Sequence, residues 1–119
     1  MSSYREMLVW QKSMDLVDAV YRTVRRFPRE ELFVLSAQMR KAAISIPCNI
    51  AEGCGRWTAA EQRQFARHAR GSVLELQTQI EIARRQDFID DHRSKALDTA
   101  AAEVGRLLNG WIKKLRTKN

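Results

Sequence analysis

The chain reads as an all-α protein, an antiparallel up-down-up-down four-helix bundle formed by a single domain over residues 1–119. Three observations predict it. Four segments carry apolar residues at the three- and four-residue steps of a helix. Only 2 Pro and 5 Gly are present, too few for the turns of a many-stranded sheet. Capping residues stand between the segments, so the links are short and neighbours pack side by side. A chain of 119 residues is long enough to bury about two-thirds of its unfolded surface.

The first helix is expected from about Arg5 to Phe27. Trp10, Met14, Val17, Tyr21 and Val24 recur in the steps of a bundle seam. Val9, Leu16, Val20 and Phe27 make a second apolar stripe beside it, more surface than one seam requires, and a second subunit is a candidate to cover it. Ser3 and Glu6 have the spacing of a capping box. Pro28 ends the helix, and Arg29-Glu30-Glu31-Leu32 forms a connection or one extra turn.

The second helix is expected to begin with Ser36 as N-cap and to end at Gly53. Met39, Ala43, Ile46 and Ile50 give it one core-facing stripe. Pro47 lies inside it, cannot donate to the carbonyl of residue 43, and crowds that carbonyl with its ring. A kink is expected there, at a cost of about 3 kcal/mol unless packing fixes it. Gly53 and Gly55 are expected to close the helix through left-handed backbone.

Thr58 and Glu61 form a capping box for a third helix that continues to Arg85. Its core stripe is Phe65, Ala69, Ser72/Val73, Leu76, Ile80 and Ala83. Gln86-Asp87-Phe88-Ile89 turns the chain. Asp90 or Asp91 caps the fourth helix, lined inside by Leu97, Ala101, Val104, Leu108, Trp111 and Leu115.

The run Arg40-Lys41-Ala42-Ala43-Ile44-Ser45-Ile46-Pro47-Cys48-Asn49-Ile50-Ala51-Glu52-Gly53-Cys54-Gly55-Arg56 resembles the signature RRAAxSIPxNIAEGxGR of a bacterial four-helix-bundle family. That family comprises the proteins encoded in intervening sequences of large-subunit ribosomal RNA genes and the accessory proteins of diversity-generating retroelements. Leu8-Val9-Trp10-Gln11-Lys12 is similar to its opening LxVWQK. Gly71-Ser72-Val73-Leu74-Glu75-Leu76-Gln77-Thr78-Gln79 is similar to its GSxxELxTQ, and Leu108-Asn109-Gly110-Trp111-Ile112 to its LNGLI. At Cys48 the family commonly has a small residue and at Cys54 an aromatic. The resemblance implies a pentameric ring of bundles and an association with ribosomal RNA insertions or with a reverse transcriptase.

No apolar run approaches the length of a membrane span, and the opening residues do not read as a secretory signal, so a cytoplasmic protein without a membrane partner is expected. Cys48 and Cys54 stand about 240° apart on an ideal helix and cannot bridge each other while it holds, so two reduced thiols are expected, one of them filling the core. His68 and His92 have no nearby cysteines or carboxylates at ligand spacing, which argues against a zinc site, and no cofactor is implied. Ser45, Asn49 and Glu52 share one side of the second helix with Gln38 and Lys41. Glu52 as a hydrolytic base would need a nucleophile or metal that the sequence does not offer. A hydrogen-bonded polar stripe, which also helps satisfy the carbonyl freed by Pro47, is the expected role. No catalytic residue is assigned, and the protein is expected not to be an enzyme.

The net charge is +7 with a pI near 10, a hint of an anionic partner. Much of the charge has a structural origin. Arg22, Arg25, Arg26 and Arg29 lie at the end of the first helix, Arg84 and Arg85 at the end of the third, and Lys113, Lys114, Arg116 and Lys118 at the end of the fourth, where the helix dipole favours cations. Arg63, Arg67 and Arg70 do not fit that pattern. They form one stripe in the first half of the third helix, and none has an acid three or four residues away. The stripe meets either carboxylates of another helix or subunit, or an anionic ligand. Arg106 and Lys113 extend the same surface, and these five residues are the candidate nucleic-acid contacts. The expected function is a non-enzymatic, homo-oligomeric protein that binds RNA or DNA through phosphates with little sequence preference. The alternative is an interaction scaffold that docks an acidic protein such as a reverse transcriptase.

Overall fold

In a computed structural model the described residues are 3–117; Lys118 falls outside them. Four helices account for most of the chain: α1 Leu8–Val24, α2 Leu35–Cys54, α3 Ala59–Arg85 and α4 Asp91–Arg116. Short 3₁₀ turns precede α1 (Tyr4–Glu6) and α2 (Arg29–Glu31), and no strand occurs among the described residues. Each helix packs on two others: α1 on α2 and α4, α3 on α2 and α4. The result is a rod of 47 × 22 × 20 Å whose core is centred on Leu16, Met39, Ile46, Ile50, Leu76, Ile80, Val104 and Leu108.

The first helix is shorter than expected. Ser3 and Glu6 do form a capping box, but it closes only the 3₁₀ turn. Met7 breaks the chain with extended backbone (ψ 129°) before α1 begins. The two stripes of α1 also exchange roles. Val9, Leu16, Val20 and Phe27 are buried within the chain, so that stripe needs no second subunit to cover it; of the expected seam only Val24 is buried with them. Trp10, Val17 and Tyr21 are only half-buried and Met14 is exposed. Ser13 and Thr23 explain the exchange. They continue the buried stripe, and each satisfies its hydroxyl within its own helix by donating to the Trp10 and Ala19 carbonyls (2.7 and 2.8 Å). Two polar letters thus conceal an apolar face in the sequence.

Two expectations for α2 also change. The helix starts at Leu35, with Val34 in the N-cap position and no side-chain cap. Ser36 is core-buried instead, and the Glu31 carboxylate accepts from the Leu35 amide at 3.3 Å. At the other end, α2 continues through Pro47 and Gly53 to Cys54. No glycine among the described residues has positive φ, and Gly55 sits at φ −83°. Gly53 is needed for closeness rather than for a left-handed turn. A β-carbon there would lie 3.0 Å from Phe65 Cβ and 3.3 Å from Trp111 Cη2, so its absence lets α2, α3 and α4 converge.

The remaining boundaries follow the sequence. Thr58 caps α3, its hydroxyl oxygen accepting from the Glu61 amide at 3.1 Å, and Asp90 caps α4, accepting from the Arg93 amide at 2.7 Å. Between them α3 closes on Asp87, whose φ of 61° is left-handed. The Phe88 amide donates to the Ala83 carbonyl (2.9 Å) and the Asp87 amide to that of Arg84 (3.0 Å). This is a Schellman closure with aspartate in the place glycine usually takes. Phe88 then packs on Phe27, ring centroids 5.4 Å apart.

Candidate nucleic-acid interface

The outer face of α3 is set by its inner one. Ala66, Ala69, Val73 and Leu76 face the core, which turns Arg63, Arg67 and Arg70 toward the α4 side and solvent. Arg63 is half-buried, and its Nη1 donates to the Leu115 carbonyl at 2.9 Å. That carbonyl belongs to the last turn of α4, whose terminal acceptors have no partner within the helix. Arg70 Nη1 donates to Asn109 Oδ1 at 3.1 Å. Arg67 lies between them and is exposed. Among the described residues no carboxylate is within ion-pair distance of any of the three. The partners of Arg63 and Arg70 are neutral acceptors, so their charge is not cancelled by an ion pair among the described residues.

The contact with Asn109 fixes the α4 half of the surface. Arg106 stands three residues before it and Lys113 four after, on one arc of the helix. Arg106, Lys113 and Arg116 are all exposed. The structure ties Arg63 and Arg70 to α4; Arg106 and Lys113 follow on the exposed side of α4, with Arg106 turned toward the groove between α1 and α4. Arg106 also walls a groove of about 370 Å³ with Met7, Leu107, Trp111 and Lys114.

Opposite charges meet elsewhere. Glu81 binds Arg84 at 2.8 Å and Arg85 at 2.9 Å, and Asp91 lies 3.6 Å from Arg84. Hydrogen bonds from Arg84 and then Arg85 hold the Glu81 carboxyl at about 2, well below its ordinary value. Gln77 donates to Asp98 at 3.1 Å. Lys12 reaches Glu103 at 3.5 Å.

The polar side of α2 is a packing device. The Ser45 and Ser72 hydroxyls are 2.7 Å apart across α2 and α3. Asn49 donates to the Ser45 carbonyl (2.8 Å) and hydroxyl (3.0 Å), so it serves the Ser45 carbonyl rather than the Ala43 carbonyl that Pro47 frees. Glu52 turns outward to Arg56 at 2.8 Å. Cys48 is exposed, while Cys54 is half-buried with its Sγ 3.2 Å from Met7 Sδ. Burial pushes the Cys54 thiol upward. His68 rests edge-on against Phe65, ring centroids 5.9 Å apart. Among the described residues no His/Cys/Asp/Glu group is placed to hold a metal, and no helix is long and apolar enough to cross a membrane.

Sequence reasoning passed over Trp57. It is 97% exposed and stands immediately before the Thr58 cap, at the bundle end where Arg63 meets Leu115. Its one signal was a tryptophan outside every apolar period.

The fold has a solved counterpart. The crystal structure of a protein of unknown function from the S23 ribosomal protein family of Bacteroides thetaiotaomicron VPI-5482 superposes with a TM-score of 0.83, at 22% identity over 89% of this chain and 96% of that one. No curated protein matches the chain. Residues 5–110 match the family described as 23S rRNA-intervening sequence protein, the same stretch that carries the Pro47 signature and the arginine stripe. The chain belongs to that family.

Proposed function

We propose that the protein is a non-enzymatic homo-oligomer that binds RNA or DNA through backbone phosphates, with little sequence preference. The observation that carries this reading is that Arg63, Arg67, Arg70, Arg106 and Lys113, on α3 and α4, have no carboxylate within ion-pair distance among the described residues. Guanidinium groups bind phosphate in fixed fork geometry, and phosphate contacts carry no base information. Membership in a family described by a ribosomal RNA insertion supports a polyanion as partner. The reading carries a cytoplasmic location, where such polyanions are found.

The assembly we propose is a ring of antiparallel up-down-up-down bundles, with α2 bent at Pro47. Contacts between the start of α3 and the end of α4 (Arg63 to Leu115) and between their middles (Gln77 to Asp98) support that order. The face offered for subunit contact is the one α1 leaves half-exposed. Trp10, Met14 and Val17 line an apolar groove of about 320 Å³ with Ile44, Pro47 and Cys48. Five copies at +7 each carry +35, a multivalent surface for a polyanion.

The decisive variant is the triple change Arg63→Glu, Arg67→Glu, Arg70→Glu. It abolishes binding to RNA or DNA at low salt and leaves helicity and assembly mass unchanged. Wild-type affinity falls steeply with salt, by about 0.7–0.9 counterions per phosphate contact. If the triple variant stays folded but loses its assembly, the stripe is an intersubunit salt-bridge surface. If the wild type binds no nucleic acid at low salt, the reading fails.

A second reading has its own observation. Leu32, Phe33 and Val34 are consecutive and exposed, Phe33 by 87%. They stand beside a groove of about 520 Å³ walled by Tyr21, Phe27, Arg25, Arg29 and Arg40. An apolar patch with a basic rim suits an acidic protein partner, such as the reverse transcriptase implied by the resemblance.

A further inference from the structure

We infer that Trp57 is a stacking platform for an unpaired base, which makes the basic face selective for single-stranded over double-stranded nucleic acid. The inference rests on the nucleic-acid reading above and adds to it the form of the ligand. Tryptophan is on average a highly buried residue; Trp10 and Trp111 here are half-buried against the core, whereas Trp57 is 97% exposed.

That exposure does not come from a loose link. The Gly55 and Arg56 amides donate to the Glu52 and Gly53 carbonyls, both at 3.1 Å. Gln62 Nε2 donates to the Arg56 carbonyl at 3.0 Å, and Thr58 caps α3. The residues on both sides of Trp57 are thus fixed, and the indole is held out from a rigid support. Nor does its cationic neighbour cover it. The Arg56 guanidinium is engaged by Glu52 at 2.8 Å and lies 4.7 Å from the Phe65 ring centre.

The cations that would accompany a stacked base are at the same end of the bundle. Arg63 is four residues into α3, about 6 Å along its axis from Ala59. Its bond to the Leu115 carbonyl brings in the last turns of α4, with Lys113 and Arg116. A strand whose phosphates lie on Arg63 and Arg67 can lay a neighbouring base on Trp57. Base–aromatic stacking adds affinity without sequence choice, because every base presents a π-face. In a duplex the bases are already paired and stacked, so the indole gains nothing there and only the phosphate contacts remain.

The test compares fluorescein-labelled oligouridylate with an RNA duplex of equal length, using anisotropy and intrinsic tryptophan emission. Trp57→Ala weakens binding of the single strand by roughly 5- to 150-fold, the range for one stacked base. It leaves duplex binding unchanged and removes the quenching that oligouridylate produces in the wild type; Trp57→Phe retains most of the affinity. Equal effects on both probes, or none on either, overturn the stacking role while salt-dependent binding still supports the phosphate reading. Absence of wild-type binding to either probe removes the phosphate reading itself. A change of assembly mass in Trp57→Ala also overturns the inference, because a second copy then covers the indole.

Discussion

The two ends of α3 place arginines in opposite circumstances. At the C-terminal end Arg84 and Arg85 share Glu81, Arg84 also meets Asp91, and the helix dipole favours both cations. At the N-terminal end Arg63 and Arg70 bind a carbonyl and an amide, and no carboxylate pairs with Arg67 among the described residues. The dipole there offers them nothing, since they lie beyond the first turn. The first cluster is locally neutralised and needs no ligand. The second is tied down in geometry but not in charge, which is what a surface for phosphates requires. A count of three arginines against two says little about the two ends; their partners separate them.

The comparison breaks if the basic end is not built on the common core. Leu108 is fully buried next to Asn109, the residue that seats Arg70. Leu108→Ala is expected to cost about 2–5 kcal/mol, measured by urea unfolding as a lower midpoint with an unchanged slope. A loss under about 0.5 kcal/mol, the usual range for surface changes, would place Leu108 outside the core. Strand signal in circular dichroism would reject the fold.

A smaller effect tests how tightly the basic end is packed. For Gly53→Ala, helix propensity alone promises a gain of about 1 kcal/mol. The new β-carbon would meet the Phe65 β-carbon at 3.0 Å and the Trp111 ring at 3.3 Å. The first of these is fixed to the α3 backbone and cannot rotate away, so the clash outweighs the propensity. A net loss of about 1–3 kcal/mol is expected. A stabilised variant would mean that α3 moves aside freely, and Arg63 would then no longer be held to the Leu115 carbonyl.

Much of this contrast was legible in the sequence, for local reasons. Caps at Thr58 and Asp90 are read from a residue and its neighbours three positions on, and both form, although the Glu61 carboxylate accepts from the Thr58 hydroxyl instead of closing the expected box on the Thr58 amide. The missing acids around Arg63, Arg67 and Arg70 are equally local. The neutral partners were not legible, since Leu115 and Asn109 lie 52 and 39 residues away along the chain. The phase of α1 is hidden in the sequence because Ser13 and Thr23 satisfy themselves and so enter the core. Gly53 reads as a helix stop because glycine marks both left-handed closures and close approaches, and only the tertiary structure distinguishes them. Asp87 takes the left-handed position with no glycine to announce it.

The smallest expected effect concerns the neutralised end, and it is a pH dependence. Glu81 is held at about 2 in the fold against an ordinary value of 4.5, chiefly by its hydrogen bonds to Arg84 and Arg85. Since the folded value is the lower one, ionised Glu81 favours the folded state. That contribution is fully present above pH 4.5 and is lost as pH falls toward 2. Glu81→Gln removes it. The stability difference between wild type and variant is expected to be greatest near neutral pH and to close as pH approaches 2. Both partners face solvent, so raised salt shrinks the difference as well. Changing Arg63, Arg67 and Arg70 to Gln gives no matching pH-dependent loss, because no carboxylate is paired with them. If that second variant loses stability on the same acid profile, carboxylates do meet the arginine stripe in the assembled protein, and the two ends of α3 are alike after all.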